Sequence, residues 1–498
     1  MLEKRRRVPA SIITAALLVP GAAARAAPLA VYGGPTYDGA TDTGYSWAGT
    51  YPDHIRYPNV PGRAVNDAGT AVGYAWKFDL GAQMGTRAIR WDASGTPATE
   101  LGNLATGFPG EMRVEVHAIN DAGVAAGYAT KREGDDIKGL RAVRWDASGT
   151  AATELDALGT DSHGDTQSRA YAINGAGTTV GYAITYEAGE ALGDRAVRWD
   201  ASGTAATQLG DLGTLPWGTG ESCAYAINDS GTAVGYAMKY GDRLPQGYRA
   251  VRWDASGTAA TELGGLGLSA SGYSGARALA INDAGTAVGF ARKYDGGASK
   301  GNRAVRWDAS GTAATELGNL GTAGSGVAET YACDINASGT VIGFAEKHDG
   351  NSMRGYRAVR WDASGTAATE LGHLGTDRRG FAAAYAWAIN DSGTAVGTAV
   401  KYEDSGRELG LRAVCWDADG AAVDLNTLID PNGGWLLTKA SSISNTGWIA
   451  GVGAFDPDGA GGLDAYDRLF LVRVPEPASM WLLVVGALAG TRRRRRVA

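Results

Sequence analysis

One loop near the end of the chain carries carboxylates at a spacing that suits a metal ion. Asp456, Asp458 and Asp464 stand at positions one, three and nine of this loop, and a glycine stands at position six. Hard oxygen ligands spaced in this way wrap Ca²⁺ in hairpin loops. Position five, usually acidic or Asn in such loops, is Ala460. The loop is therefore a candidate calcium site with a solvated turn as its alternative, and no other cofactor is expected.

A second pattern, Arg-x-x-Arg-Trp-Asp, recurs along the chain and could act on carbohydrate. Aromatic faces and planar guanidinium groups both stack on sugars. The alternative is packing, in which Trp fills the space between neighbouring sheets and Arg pairs with Glu of the adjacent strand, as Arg144 would with Glu154. Packing is favoured, because a residue repeated identically in every unit of an array usually contacts the next unit.

Residues that could carry catalysis are scattered. No histidine has a second His or a Cys at ligand spacing, and no G-x-S-x-G motif occurs. The odd count of three cysteines excludes a dense disulfide framework, and we expect these side chains to be buried. The cysteines are Cys223, Cys333 and Cys415, and the histidines are His54, His117, His163, His348 and His373. Paired carboxylates of a glycosidase would meet in space and leave no sequence motif.

The elements that must position these residues repeat with a period of 54. Trp91, Trp145 and four further tryptophans up to Trp361 keep this spacing, and Trp416 follows after 55 residues. Asn66 to Asn390 and Gly73 to Gly451 are spaced in the same way, and Ser444 takes the eighth Asn position. Repetition on this scale indicates an array of identical supersecondary units.

Each unit reads as four short strands. In the third copy these are 171–174, 179–183, 195–200 and 205–209, joined by an Asn-x-x-Gly turn, a variable polar loop and an Asp-Ala-Ser-Gly turn. Asn or Asp at the first turn position bonds the backbone, and we expect the fourth-position Gly of both turns to adopt a positive φ. The loops that follow the second and fourth strands vary between copies and are the expected ligand-binding positions.

Four antiparallel strands in about 50 residues match one blade of a β-propeller. The sequence thus predicts an all-β fold over residues 27–474, a β-propeller of about eight four-stranded blades. Seven full repeats span 64–430, a degraded eighth spans 431–474, and 28–34 is the candidate strand that closes the ring. An open β-solenoid is the alternative, although 54 residues make a long coil for one.

Composition and charge restrict the classes of molecule that the protein could bind. The chain has 498 residues, with 75 glycines and 44% apolar residues, which suits a β-rich protein with many turns. Residues 1–26 hold five basic and one acidic residue, and 478–498 hold five basic ones. Without these ends, 36 basic and 52 acidic residues remain, a formal charge of −16. Such a charge argues against binding nucleic acid or anionic lipid through a general basic field.

The N-terminus predicts export. A basic start, an apolar run over 12–19 and the small residues Ala24-Arg25-Ala26 follow one another in the order of a secretory signal peptide, which would span 1–26 as a short helix. The run is too short for a membrane-spanning helix.

The C-terminus combines three elements within 475–498. Pro475, Glu476 and Pro477 precede an apolar run over 478–490, and Arg492, Arg493, Arg494, Arg495 and Arg496 follow it. Thirteen helical residues span about 20 Å, less than the ~30 Å hydrocarbon core. The arginines would stay in the cytoplasm while the chain before the run is outside. This tail resembles the PEP-CTERM sorting signal, which implies processing by an exosortase at Pro-Glu-Pro after transient membrane insertion of a short apolar helix.

The repeats resemble a second family. Ala-Ile-Asn-Asp-Ala-Gly-Thr-Ala-Val-Gly and Arg-Ala-Val-Arg-Trp-Asp, followed by Leu-Gly-Asn-Leu-Gly, are similar to the HAF extracellular repeat over about 64–430. Where that family has His-Ala-Phe before Trp, this chain has Arg-Ala-Val, so a role of that His does not transfer. The resemblance implies an extracellular address and no defined activity.

These features together predict an exported protein of the cell surface or extracellular matrix. We expect a non-catalytic scaffold or adhesion module that binds an exopolysaccharide or another surface polymer. A secreted carbohydrate-active enzyme, a lyase or hydrolase that uses the central channel, is the alternative, and a structural spacer is the third.

Overall fold

The computed structural model describes residues 28–34, 36–38, 43–49, 64–80, 82–94, 96–105, 112–241, 244–459 and 465–474. Within these ranges the protein is all-β, and the helical content is one 3₁₀ turn, Leu425–Thr427. No helix in the described part of the chain is long and apolar enough to cross a bilayer. The predicted signal helix and the predicted C-terminal apolar helix lie outside the described residues.

Repeats 3 to 7 each form a four-stranded antiparallel sheet in chain order. Repeat 3 holds β11 (Ser168–Ile173), β12 (Thr179–Glu187), β13 (Glu190–Trp199) and β14 (Ala206–Gln208). Repeat 4 holds β15 (Ser222–Ile227), β16 (Ala233–Gly241), β17 (Leu244–Trp253) and β18 (Ala260–Glu262). Repeat 5 holds β19 (Ala276–Ile281), β20 (Ala287–Asp295), β21 (Ala298–Trp307) and β22 (Ala314–Glu316). Repeat 6 holds β23 (Thr330–Ile335), β24 (Val341–Asp349), β25 (Ser352–Trp361) and β26 (Ala368–Glu370), and repeat 7 holds β27 (Ala384–Ile389), β28 (Ala395–Tyr402), β29 (Glu408–Trp416) and β30 (Ala422–Asp424).

The ends of the array are less regular. The N-terminal part holds β1 (Val31–Gly33), β2 (Tyr37–Asp38), β3 (Thr43–Gly49), β4 (Ala71–Asp79), β5 (Ala82–Trp91) and β6 (Thr99–Glu100). Repeat 2 holds β7 (Met112–Ile119), β8 (Ala125–Glu133), β9 (Asp136–Trp145) and β10 (Ala152–Glu154). A short parallel pairing of β5 with β7 joins β2 to β10 into one nine-stranded sheet. Repeat 8 holds β31 (Trp435–Ile443), β32 (Trp448–Phe455) and β33 (Tyr466–Arg473).

The turn after each first strand forms as its sequence predicts. In repeat 3, Asn174 Oδ1 accepts a hydrogen bond from the Thr178 N–H (2.9 Å), and Gly177 adopts a φ of +92°. The Asp-Ala-Ser-Gly turn differs, because Gly203 does not adopt a positive φ and a Cβ there would meet nothing within 4 Å. The expectation of a positive φ is therefore wrong for this second turn.

In repeats 2 to 8 the glycine of the second strand lies where two backbones approach closely. A Cβ at Gly181 would lie 1.9 Å from the Arg169 carbonyl oxygen, next to a bulge in the pairing of β11 with β12. A side chain cannot fit at this distance, so the strand pair needs Gly in these seven copies.

Apolar clusters lie between successive repeats. Trp253 of repeat 4 is fully buried against Val180 and Leu209 of repeat 3, and its indole Nε1 donates to the Gly210 carbonyl (2.8 Å). Trp145, Trp199, Trp307 and Trp361 make the same bond to the preceding repeat. The repeated Trp thus has the predicted packing role between neighbouring sheets.

A ladder of buried Asn side chains runs around the inner turns. Asn228 Nδ2 donates to the Asn282 carbonyl of the next repeat (3.0 Å), while its Oδ1 accepts from the Thr232 N–H of its own turn (2.9 Å). The same inter-repeat bond recurs at each step, from Asn66, Asn120, Asn174, Asn282, Asn336 and Asn390. Each Asn therefore closes one turn and fixes the distance to the next.

The two ends of the array meet. The Asn445 N–H of repeat 8 donates to Asp67 Oδ1 of repeat 1 (2.6 Å), and the Ala64 N–H donates to Ser442 Oγ (3.1 Å). β1 pairs antiparallel with β33 and becomes the fourth strand of the last sheet. Successive sheets around a closed ring are the arrangement of a β-propeller.

The Asn ladder predicts a stability effect. We expect Asn228→Ala to lower the free energy of unfolding by about 2 kcal/mol, because it removes a buried hydrogen bond to the Asn282 carbonyl and leaves the Thr232 N–H without its acceptor. Urea denaturation followed by tryptophan fluorescence measures this.

Asn228→Asp separates the two bonds, since Asp keeps the acceptor for Thr232 but removes the donor to Asn282. Ser256→Ala, at an exposed turn, serves as the control and should change stability by less than about 0.5 kcal/mol. If Asn228→Ala unfolds at the wild-type urea concentration, the ladder does not stabilise the ring.

Candidate functional site

The ring has two different faces because its strands alternate in direction. One face, here the turn face, carries the turns between first and second strands and between third and fourth strands. The opposite face, here the loop face, carries the hairpins between second and third strands and the connections from each fourth strand to the next repeat. The turn face is nearly identical in every copy, whereas the loop face varies.

The second Arg of Arg-x-x-Arg holds neighbouring repeats together at the turn face. The Arg144 guanidinium donates to the Asp200 and Gly203 carbonyls of the next repeat, both at 3.1 Å. The predicted pairing of Arg144 with Glu154 is therefore wrong. Glu154 lies opposite Val143 in the strand register, so it shares a face with Arg141, whereas Arg144 points to the other face.

The first Arg of the motif forms the ion pair. Arg141 Nε lies 3.4 Å from Glu154 Oε1, and Lys131 Nζ lies 2.9 Å from Glu154 Oε2. The Arg141 guanidinium also donates to the Thr166 carbonyl of the next repeat (2.5 Å). Both arginines thus serve packing between repeats, and neither is presented to a ligand.

An exception to the motif has a structural reason. Cys415 occupies the second Arg position in repeat 7. In repeat 8 the third strand ends at Arg473 and leads into the C-terminal tail, so no Asp-Ala-Ser-Gly turn follows to accept an arginine. Cys223 and Cys333 are buried like Cys415, as predicted, and all three are free thiols.

Residues that depart from the repeat meet on the first strands, towards the loop face. Equivalent positions hold His117, Tyr171, Tyr225, Leu279, Cys333, Trp387 and Ser441, and two residues earlier stand Glu115, Arg169, Cys223, Arg277, Tyr331, Tyr385 and Lys439. These positions and the side chains packed on them from second and third strands form the inner cluster. It lies beside a central cavity of about 210 Å³, which is lined by Tyr225, Leu279, the adjoining Ala, Ile and Asn residues, and the aspartates Asp121, Asp229, Asp283, Asp334 and Asp391.

Repeat 2 contributes a buried carboxylate to the inner cluster. Glu115 accepts a hydrogen bond from Arg113 Nε (2.7 Å), and its other oxygen lies 3.6 Å from His117 Nε2. Burial alone would raise the pKa of the Glu115 carboxyl, but hydrogen bonds and charge from His117, with Tyr128 and Arg113, outweigh burial and lower the pKa to about 2. Glu115 is therefore an ionised acceptor at neutral pH and not a proton donor.

Repeats 4 and 5 contribute a tyrosine–arginine group. The Tyr236 and Tyr248 hydroxyls donate to Glu221, at 3.0 and 3.1 Å, and the Arg277 guanidinium carbon lies 4.5 and 4.6 Å from the centres of the two rings. Burial, then the charge of Glu221, raises the pKa of Tyr248 to about 12, so its hydroxyl stays protonated. Burial, then Glu221, also raises the pKa of Asp194.

Repeats 6 and 7 contribute an aromatic group. The rings of Tyr385 and Trp387 are stacked at 5.5 Å with planes 5° apart, and Phe344 packs against Tyr385 at 5.1 Å. Glu346 accepts from the Tyr356 hydroxyl (3.4 Å) and lies 3.2 Å from His348 Nε2. Tyr385 and Trp387 are only half-buried, so parts of both rings face solvent.

The loop face also exposes apolar side chains. Trp217 is 62% exposed and Leu244 is 72% exposed. Ile137, Leu268 and Met353 are exposed on the same face. Aromatic platforms beside carboxylates and tyrosine hydroxyls are the groups that bind the apolar faces and hydroxyls of sugars.

Several predicted site residues lie partly or wholly outside the described residues. Asp456 Oδ1 accepts from the Gly459 N–H (2.8 Å) and Asp458 follows nearby, but Asp464 is outside, so the calcium site stays a prediction. Among the described residues no group of three His, Cys, Asp or Glu side chains could hold a metal. His54 and the whole sorting motif, Pro475, Glu476, Pro477 and Arg492 to Arg496, also lie outside.

Sequence reasoning located variation in the loops and missed the inner cluster. The available signal was the alignment of copies at 54-residue spacing. In that alignment His117, Tyr171, Tyr225 and Trp387 occupy the variable position x of a first strand that reads close to Ala-x-Ala-Ile-Asn. Which residues of the other strands face them depends on strand register and is not visible in the sequence.

The comparison with protein families confirms the tail. Residues 473–496 match the PEP-CTERM protein-sorting motif, a recognition signal for exosortase-type processing. This motif implies an exported protein of the cell surface. The match does not include the 54-residue repeats, whose likeness to the HAF repeat stays a prediction. A sequence comparison with curated proteins found no match.

Solved structures similar to the chain include several with low identity. The β-propeller domain of the Trilobed protease from Pyrococcus furiosus is 10% identical, with a TM-score of 0.42 over 76% of this chain and 100% of that one. The GH74 xyloglucanase from Xanthomonas campestris is 13% identical, with a TM-score of 0.39 over 86% of this chain and 67% of that one. The polysaccharide lyase Uly1 is 12% identical, with a TM-score of 0.39 over 85% and 92%. Likenesses at this level carry no conclusion about activity.

The lowered pKa of Glu115 predicts a pH dependence of stability. In the unfolded chain the carboxyl takes up its proton near pH 4.5, and in the folded chain only near pH 2. The contribution of the ionised Glu115 carboxylate to the free energy of unfolding is therefore complete at neutral pH. It is lost as the pH falls from about 4.5 to about 2. Between pH 6 and pH 2, the unfolding free energy of the wild type should fall by about 3 kcal/mol more than that of Glu115→Gln.

Urea denaturation at several pH values measures this difference, with Glu190→Gln at an exposed position as the matched control. Parallel pH profiles for the wild type and Glu115→Gln would show that the carboxyl is not held ionised by its neighbours.

Proposed function

We propose that this protein is an exported, exosortase-sorted surface protein whose eight-bladed, non-catalytic propeller binds a carbohydrate polymer through its loop face and inner cluster. Export would use a cleaved signal peptide over 1–26, and the polymer would be an exopolysaccharide of the cell surface or matrix. The eight-blade count is supported by eight repeats with closing contacts between Asn445 and Asp67 and between β1 and β33.

The observation that supports the binding proposal is that the sequence differences between repeats are confined to particular positions. The copies are nearly identical at the turn face and in the packing between repeats, yet aromatic and charged side chains replace one another on the first strands. A purely structural spacer has no need of half-buried rings such as Tyr225, Tyr385 and Trp387 on these strands. Aromatic side chains give large contact areas with sugar rings.

The absence of catalysis is the second part of the proposal. The ionised Glu115 suits hydrogen-bond acceptance, and the Tyr236 and Tyr248 hydroxyls, with Glu221 as their acceptor, suit donation and orientation. A glycosidase requires a carboxylic acid that is protonated at working pH beside an ionised carboxylate. A raised pKa is what such an acid needs, and Asp194 has one. The turnover assay described below therefore tests the enzyme alternative directly.

A glycan array with residues 27–474, run with and without calcium, tests binding. We expect Tyr225→Ala and Trp387→Ala to weaken binding of the recognised polymer at least about ten-fold, equivalent to about 1.4 kcal/mol. Ser256→Ala on the turn face is the matched control and should bind as the wild type does.

A thermal melt of each variant separates lost binding from lost folding, and a turnover assay on polysaccharides runs beside the array. Measurable turnover would replace the proposal with the secreted enzyme. Absence of both binding and turnover would replace it with the spacer.

A further inference from the structure

One guanidinium of the inner cluster has no polar partner among the residues that the structure describes. Arg169, half-buried on the first strand of repeat 3, forms neither a hydrogen bond nor an ion pair with them. Its Nε is buried without a partner in this part of the chain, whereas its terminal nitrogens Nη1 and Nη2 stay accessible. Arg195 of the same sheet shows the contrast, because its guanidinium donates to the Gly218 and Gly220 carbonyls. The terminal N–H groups of Arg169 are therefore available to a bound molecule.

Two tyrosine rings hold this guanidinium in place. The Arg169 guanidinium carbon lies 4.8 Å from the ring centre of Tyr128 in repeat 2 and 5.9 Å from that of Tyr182 in repeat 3. Such contacts attract the cation but offer its N–H groups no acceptor oxygen. Glu115 and Asp194 act on Arg169 from beyond ion-pair distance. These carboxyl groups leave its N–H groups unoccupied.

The ring does not need a cation at this position. The equivalent residue of repeat 4 is Cys223, and that of repeat 7 is Tyr385. Repeat 4 nonetheless keeps the inter-repeat bonds of Asn228 and Trp253. Packing between repeats therefore does not account for the arginine.

Arg169 stands at the loop-face end of its strand, next to the central cavity. β11 runs towards the turn face, and Ala172, three residues after Arg169, lines the cavity. Tyr171 is half-buried and packs on the same Tyr182 ring as Arg169 does, with the two ring centres 6.0 Å apart. The ring of Tyr225, which lines the cavity, lies 5.9 Å from that of Tyr171. An aromatic surface thus leads from the guanidinium to the cavity wall.

A guanidinium beside aromatic rings matches an acidic sugar. The planar fork of an arginine donates two parallel hydrogen bonds to a carboxylate or another oxyanion. Aromatic rings bind the apolar face of the sugar ring that carries the oxyanion. This recognition is local, so it does not require the general basic field that a formal charge of −16 opposes.

We propose that Arg169 binds an oxyanion on the sugar residues of the polymer, with Tyr171 against the sugar ring, so that the recognised polymer is acidic. This inference rests on the proposed function, because it names the class of polymer that the inner cluster binds. Carboxylates of uronic acids and sulfate esters share this chemistry, and the experiment distinguishes them.

Binding of the full-length chain to immobilised polysaccharides tests the inference. The probes are polygalacturonate, alginate and hyaluronate, each beside its carboxyl-reduced form, and carrageenan beside its desulfated form. We expect at least one acidic polymer to bind, and its neutral counterpart to bind at least about ten-fold more weakly, since a charge-assisted hydrogen-bond pair is lost. Preference for a uronate would assign a carboxylate as the oxyanion, and preference for carrageenan would assign a sulfate ester.

Arg169→Gln should lose this preference and bind the acidic and neutral forms alike. Arg169→Lys should keep part of it, because lysine retains the charge but not the planar fork. Arg407→Gln, which removes an exposed, ion-paired arginine from a loop-face hairpin, is the matched control and should behave as the wild type does.

A thermal melt shows whether each variant is folded. Added NaCl should weaken binding of the acidic polymer by the wild type more steeply than by Arg169→Gln, an effect that a purely structural arginine would not produce.

Equal binding of acidic and neutral forms by the wild type would overturn this inference and leave polymer binding intact. A folded Arg169→Gln variant with an unchanged preference would do the same. Failure of the wild type to bind any polysaccharide, acidic or neutral, would overturn the proposed function and this inference together.

Discussion

A single side-chain amide in each repeat sets the geometry on which the ring depends. The Asn at the end of each first strand accepts a bond within its own turn and donates one to the next repeat, as Asn228 does to Asn282. Both groups are buried, where an unpaired donor or acceptor is costly. The first strands are thereby held at one constant spacing around the central cavity, and the outer strands follow from them.

Because the Asn bonds keep the spacing of the first strands constant, other residues of these strands can differ from repeat to repeat. The bonds that recur between all the repeats come from Asn, Trp and Arg side chains outside the inner cluster positions and from backbone carbonyls. Residues such as Tyr225 and Arg277 can therefore differ from copy to copy without altering the ring. The protein separates residues that build the scaffold from residues that face the channel and the loop face.

The period, the four strands of each unit and the packing role of Trp could be predicted because each depends on local spacing. The partners of Arg144 could not, since Arg141 and Arg144 are three residues apart and only the register with Glu154 decides which one it meets. Gly203 shows the same limit, because two turns with the same Asx-x-x-Gly pattern differ in backbone conformation. The inner cluster needs both register and ring closure, which join residues from different repeats.

The pairing of β1 with β33 has a consequence for how the chain folds. Its partners are the opposite ends of the described chain, so the contact that closes the ring is among the most non-local that this chain can make. Every interface between repeats 3 and 7 can form as soon as the next repeat is complete, whereas residues 31–33 must wait for the last strand. Until then β33 and the first repeat present unpaired edges to any neighbouring copy. The period before closure is therefore when exported chains are most exposed to joining one another, and rapid folding after translocation shortens it.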